Sequence, residues 1–132
     1  MHTLSVEESE ENGLSFELLV DGTPLRVLVS GASGGIPYWI VEDDLPYFPT
    51  TSDEAARRSD LRIVAVCSCG EYGCGHTRCR VVKDGESVVF SGFITNVNAA
   101  DETHTFRFFR LNYDAVLANM VAAAAAQRNK NT

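Results

Sequence analysis

At 132 residues, 45% apolar and 22% charged, the chain is long enough to bury a core of its own and reads as a single domain over residues 1–132. Eighteen acidic against eleven basic side chains leave a net charge of −7. That balance argues against nucleic-acid and anionic-membrane partners, because neutralising phosphates takes a surplus of Lys and Arg.

No apolar run reaches the roughly 18 residues that a membrane helix needs. The acidic start, with Glu7, Glu8, Glu10 and Glu11, has neither the basic nor the apolar region of a signal peptide. A cytoplasmic protein with reduced thiols is expected, in contact with a protein or small-molecule partner rather than a membrane.

Residues 1–12 are polar and acidic and read as a flexible N-terminal segment. Two β-rich runs follow, 14–20 and 25–29, joined by Asp21-Gly22-Thr23-Pro24. Leu14, Phe16 and Leu18 alternate in the first, and Leu25, Val27 and Val29 in the second, as residues on one face of a strand do. Asp-Gly between such runs predicts a hairpin, because glycine accepts the positive φ of a tight turn. Gly31-Ala32-Ser33-Gly34-Gly35 then interrupts the pattern. It lacks the Gly-Lys-Ser/Thr ending of a phosphate loop, and Pro37 disfavours the helix a dinucleotide fingerprint requires, so it reads as a connector.

Tyr38-Trp39-Ile40-Val41 predicts a short strand ending at Glu42-Asp43-Asp44. Three adjacent carboxylates suit a hard cation, but the spaced acids and glycine of a calcium loop are missing. A solvated turn is the preferred reading. The aromatic set Tyr38, Trp39, Tyr47 and Phe48 is assigned to core packing ahead of a recognition groove, since aromatic side chains anchor cores. Residues 51–58 predict one or two helical turns, with a Thr51 or Ser52 cap and the early acids Asp53 and Glu54.

From Leu61 the strand signal returns, with Leu61, Ile63, Ala65, Cys67 and Cys69 on one face if alternation runs through the first two cysteines. A second strand is expected over 77–83, then a tight turn at Lys83-Asp84-Gly85-Glu86 with Asp-Gly at its centre, then a return strand from Ser87. Residues 104–111 predict a further strand. The last element is a helix, capped by Asn112, with Asp114 in its first turn and Arg128 and Lys130 near its negative end. Tyr113, Val116, Leu117, Met120, Val121 and Ala124 recur at helical spacing and form its apolar stripe.

The chemistry-bearing stretch is Cys67-Ser68-Cys69-Gly70-Glu71-Tyr72-Gly73-Cys74-Gly75-His76, followed by Cys79, which holds all four cysteines. Pairing Cys67 across from Cys79 would put Cys67, Cys69 and Cys79 on one sheet face, with Cys74 and His76 at the turn. Four readings stand side by side. Zinc takes four thiolate or imidazole ligands, and Cys67, Cys69, Cys74, Cys79 and His76 are candidates. Free cysteine also behaves as a small buried hydrophobe, which makes the stretch a structural glycine turn continuous with the core. A reversible thiol pair is the third reading, without the Cys-x-x-Cys motif. The fourth is a Cys74 nucleophile with His76 or His104 as its base.

Cys67-Ser68-Cys69-Gly70-Glu71-Tyr72-Gly73-Cys74, set after an apolar strand and before a β pair and a C-terminal helix, resembles small uncharacterised bacterial proteins. These share a Cys-x-Cys-Gly-Glu-x-Gly-Cys signature, and the likeness extends to the N-terminal hairpin at Asp21-Gly22. It implies no activity. It places Cys67, Cys69, Cys74, Gly70, Glu71 and Gly73 in the signature and leaves His76 and Cys79 outside it, which disfavours a full zinc set.

The expected architecture is α+β: antiparallel β-hairpins forming a sheet covered by the C-terminal helix. The expected function is a non-enzymatic soluble domain with a structural cysteine–glycine turn, acting through protein or small-ligand contacts. A zinc-binding protein using the Cys67–Cys79 cluster is the first alternative and a thiol redox enzyme the second.

Overall fold

The structure, a computed structural model, describes residues 1–10, 13–29, 34–47, 61–66, 76–95 and 101–130. The first sheet starts where the acidic N-terminal segment was expected to be flexible. Leu4–Ser9 is instead strand β1, antiparallel to β2, Ser15–Val20, in unbroken register from Leu4↔Val20 to Ser9↔Ser15. Leu4 is buried and Val6 half-buried, an alternation that the neighbouring glutamates mask in the sequence.

The chain reverses at Asp21 and Gly22, with φ of 53° and 81°. Positive φ at both central residues is what a type I′ hairpin turn demands, and it is why Gly22 is glycine. The second arm departs from expectation. Only Thr23–Pro24 (β3) pairs with β2, and Leu25–Leu28 then forms one helical turn, α1, closed by Val29 N–H donating to the Leu25 carbonyl at 2.9 Å. Pro24 has no N–H to continue a ladder, and its φ of −56° leads into a helix. Leu25 and Val29 satisfy both the two-residue and the four-residue period. Val27, 67% exposed, shows that the helical one applies.

Ile36–Pro37 (β4) pairs with Ser15 and Phe16, on the β2 edge that β3 also uses. Gly35 lies so close to this strand that a Cβ there would sit 3.0 Å from the Phe16 carbonyl oxygen. The strand expected over 38–41 is a 3₁₀ turn, Tyr38–Ile40. Arg128, in the last turn of the final helix as expected, also donates to the Tyr38 and Val41 carbonyls and ties that helix to this turn.

The second sheet is a fully antiparallel meander in the order β5 (Leu61–Val66), β6 (His76–Asp84), β7 (Ser87–Ile94), β8 (Asp101–Phe109). The β6–β7 turn pairs Asp84 with Ser87, so Gly85 and Glu86 are its centre rather than Asp84 and Gly85. β8 runs directly into the C-terminal helix α2, Arg110–Lys130. That helix begins ahead of Asn112, which sits in its first turn instead of capping it. The Asn112 amide accepts from Leu4 N–H at 2.7 Å and donates to the Leu4 carbonyl at 2.9 Å.

The helix packs by the expected stripe: Tyr113, Val116, Leu117, Met120 and Ala124 are buried, with Val121 packed at its margin. These side chains join Leu4, Phe16 and Leu18 of the first sheet and Phe90, Phe93 and Phe108 of the second in one hydrophobic cluster. Phe90 meets Phe108 and Tyr113 edge-on, with ring centroids 5.0 and 6.1 Å apart, the arrangement that opposed ring quadrupoles favour. The architecture is α+β, mostly strand, with the helix packed on sheet.

The Asn112→Ala variant tests the tie between β1 and α2. It leaves the Leu4 N–H and C=O without their partner, and a loss of about 1–3 kcal/mol is expected. In urea this is read as a lower midpoint at unchanged slope.

Candidate functional site

Cys67, Cys69, Glu71 and Cys74 lie outside the described residues, as do Phe48 and the helical turns expected over 51–58. The strands that flank the cysteine stretch are described. Val66 pairs with His76, Ala65 with Thr77 and Arg62 with Cys79. Cys79 therefore stands opposite Arg62, not Cys67. The register also slips between Ile63 and Ala65. Directly opposed residues share a sheet face, so this bulge puts Ile63 with Arg78 but Ala65 with Thr77. Alternation counted from Leu61 and Ile63 cannot be carried through to Cys67 and Cys69.

Strand β6 separates two of the five candidate ligands. Thr77, Cys79 and Val81 alternate on the buried side, and Cys79 is 0% exposed within the hydrophobic cluster. His76 and Arg78 project to the other side, with Arg78 Nη1 3.3 Å from His76 Nε2. Burial pushes the Cys79 thiol well above its ordinary pKa, so it stays protonated and packs as an apolar group. His104 stacks on Phe106, centroids 5.9 Å apart. Among the described residues, no group of three His, Cys, Asp or Glu side chains converges in a way that would hold a metal ion.

The aromatic and acidic segment 38–47 divides in a way the sequence did not suggest. Trp39 is 51% exposed, against the core assignment, while Tyr38 and Tyr47 are half-buried. The Arg62 guanidinium lies over the Tyr47 ring, 3.6 Å from its centroid, and donates to the Leu45 carbonyl at 2.8 Å. Glu42 and Asp43 are exposed, as a solvated turn requires, but Asp44 turns inward. Its Oδ2 accepts from Lys83 Nζ at 2.6 Å and faces Arg62 Nη1 at 3.8 Å. Its Oδ1 accepts from the Tyr113 hydroxyl and from Leu45 N–H.

Burial of Asp44 disfavours its charge, but the bonds from Lys83, Tyr113 and Leu45 N–H outweigh it and hold the carboxyl below the usual range. Tyr113 moves the opposite way: burial, then the adjacent Asp44 charge, pushes its phenol far up. The pair is a fixed carboxylate and a fixed phenol.

Beside it opens a shallow cleft of about 240 Å³, lined by the charged Asp43, Asp44, Lys83 and Asp114 and by Tyr113, Leu117, Ala118 and Val121. That volume lies below the usual range of roughly 300–1,000 Å³ for drug-sized ligands, so it suits a side chain or a small molecule. Sequence reasoning missed this cluster because Lys83 and Tyr113 lie 39 and 69 positions from Asp44. One signal was present. A tyrosine in place of phenylalanine in a buried stripe asks for a polar partner.

Stability should follow these groups across pH. The lowered Asp44 pKa contributes stability above the ordinary carboxylate range of about 4, and that contribution is lost as pH falls through the folded value. The raised Cys79 and Tyr113 values act at the other end, since the unfolded chain ionises first, above about 8.5 and 10. Urea unfolding from pH 2 to 11 should show a plateau falling at both ends. Asp44→Asn should lower the plateau by about 1–3 kcal/mol and flatten the acid limb, while Tyr113→Phe should flatten the limb above pH ~10.

Comparison with known proteins brings no family model, no curated relative and no solved structure that matches this chain.

Proposed function

We propose that the protein is a non-enzymatic cytoplasmic domain that works through contacts with a protein or small ligand, its cysteine–glycine stretch serving as a structural turn. One observation carries this reading. Among the described residues, each resolved pKa shift moves its group away from neutrality: Asp21 and Asp44 downward, Cys79 and Tyr113 upward. Acid–base and thiol catalysts are tuned toward their working pH, so these groups are arranged for structure.

Two further features agree. The shallow cleft beside Asp44 is lined by both charged and apolar side chains, a mixture that suits a binding surface. No helix among the described residues is long and apolar enough to cross a membrane. The resemblance to the Cys-x-Cys-Gly-Glu-x-Gly-Cys proteins belongs to the same proposal, with Glu71 accepting backbone N–H bonds inside the turn.

The zinc reading keeps one specific support. His76 pairs with Val66, the residue directly before Cys67, so an imidazole stands at the base of the cysteine stretch. A zinc site would then draw on Cys67, Cys69, Cys74 and His76, with Cys79 as core.

Metal analysis of protein purified without added metal, alongside thiol titration, separates the readings. The expected result is no stoichiometric zinc and no thiol of strongly lowered pKa, with Cys79 reacting only after denaturation. One zinc per chain with protected thiols would establish the metal site instead. A single reactive low-pKa cysteine would establish the thiol enzyme.

A further inference from the structure

We infer that the outer edge of β1 is a docking edge for an extended, basic segment of a partner polypeptide, which adds to the first sheet as a further strand. The inference rests on the binding-domain reading and names a surface and a partner chemistry for it.

The argument begins with the backbone. In an antiparallel strand the N–H and C=O of one residue point to the same side, and successive residues alternate. Thr3 bonds toward the β2 hairpin, its carbonyl accepting from Asp21 N–H at 2.8 Å. Leu4 therefore points away from β2, and its N–H and C=O are the pair taken by the Asn112 amide. By the same alternation Val6 and Glu8 also point outward. No other group among the described residues bonds their N–H and C=O groups. Val6 is half-buried, its side chain packed against the core, and the chain from Glu7 to Glu10 is exposed, so the edge opens to solvent toward Glu8.

Asn112 shows what such an edge accepts. Its side chain is a primary amide that donates to the Leu4 carbonyl and accepts from the Leu4 N–H, the two bonds a neighbouring strand would supply. An incoming peptide continues at Val6 and Glu8 the pairing that Asn112 begins at Leu4. Strand addition of this kind takes its affinity from main-chain bonds and its selectivity from side chains along the edge.

Charge selects the occupant. Glu7, Glu8 and Glu10 are exposed along this edge, and no cation among the described residues pairs with them. The nearby Glu17, opposite Glu7 in register, is already taken by Arg26 Nε at 3.1 Å. Acidic residues on an edge strand guard it against copies of itself, because a second chain brings the same glutamates into opposition. The same guard becomes an attraction for a strand bearing Lys and Arg, strengthened by the net charge of −7.

The test titrates the full chain with a synthetic peptide that alternates Lys or Arg with Val or Thr, followed by amide NMR and hydrogen exchange. The expected result is slowed exchange at the Val6 and Glu8 amides, with Ser5, Glu7 and Ser9 little changed because their groups already face β2. Binding should weaken as salt rises. Methylating the peptide's alternate backbone nitrogens should weaken it about tenfold or more, since those bonds carry the affinity. Glu8→Pro should do the same while keeping the β1–β2 bonds, because the lost N–H faces outward. The methylated peptide keeps the test valid if that variant fails to fold.

Equal binding by the methylated peptide, protection anywhere other than Val6 and Glu8, no binding, or equal binding of an acidic peptide would each overturn the docking edge. So would self-association of the chain through the same amides. The metal and thiol measurements decide the binding-domain reading separately, so failure at the edge does not count against it.

Discussion

Two sheets meet along a seam in this protein, and the polar groups of the N-terminal strand are paired across it. His2 closes one part of it, donating its N–H to the Arg107 carbonyl at 2.8 Å and bridging in parallel to Phe108. Asn112 closes the next, through both polar groups of Leu4. Asp21 locks the far side: its carboxylate takes Thr3 N–H at 2.8 Å and His2 Nδ1 at 2.7 Å. The His2 ring packs edge-on against Phe106, so the N-terminal strand is held by packing as well as by hydrogen bonds. Buried backbone groups left unpaired cost as much as lost hydrogen bonds, and this stitching is what lets one apolar cluster extend across both sheets and the helix.

A second constraint follows from the first. Once α2 lies across the core, Tyr113 brings a hydroxyl into a region with little water, and Asp44 receives it. Lys83 and Arg62 then balance the charge that Asp44 carries. The result joins the 41–47 segment, β5, β6 and α2 through one carboxylate. A buried carboxylate with hydrogen bonds on both oxygens is held in its charged form, and its partner phenol in its neutral form. Such a pair stores no proton for transfer near neutral pH, which is why the cluster supports a structural role.

Local signals were legible where one backbone conformation or one period dominates. Asp21-Gly22 announced its turn because two positive φ values in a row need such residues, and the α2 stripe was legible because six apolar positions repeat at helical spacing. Signals failed where two periods coincide. Leu25 and Val29 fit a strand and a helix equally, and Pro24, by withholding an N–H, decided for the helix. Leu4 and Val6 were overlooked because they stand among polar and acidic residues, yet a strand with one wet face needs apolar residues only at alternate positions. The parity count through Cys67 and Cys69 is interrupted at the bulge between Ile63 and Ala65, short of those two residues. A bulge is an event of pairing between strands and leaves no mark in a single run of residues.

The amino-acid sequence by itself determined the α+β class, the hairpin turns and the buried stripe of α2, because these depend on neighbours within a few positions. It also confined the thiol chemistry to one short stretch. Only the tertiary structure decided that Cys79 faces the core and His76 the other side of β6, that Asp44 meets Tyr113 and Lys83, and that Asn112 bonds Leu4 across 108 positions. These contacts depend on strand register and on how the helix crosses the sheets, which the whole core settles at once.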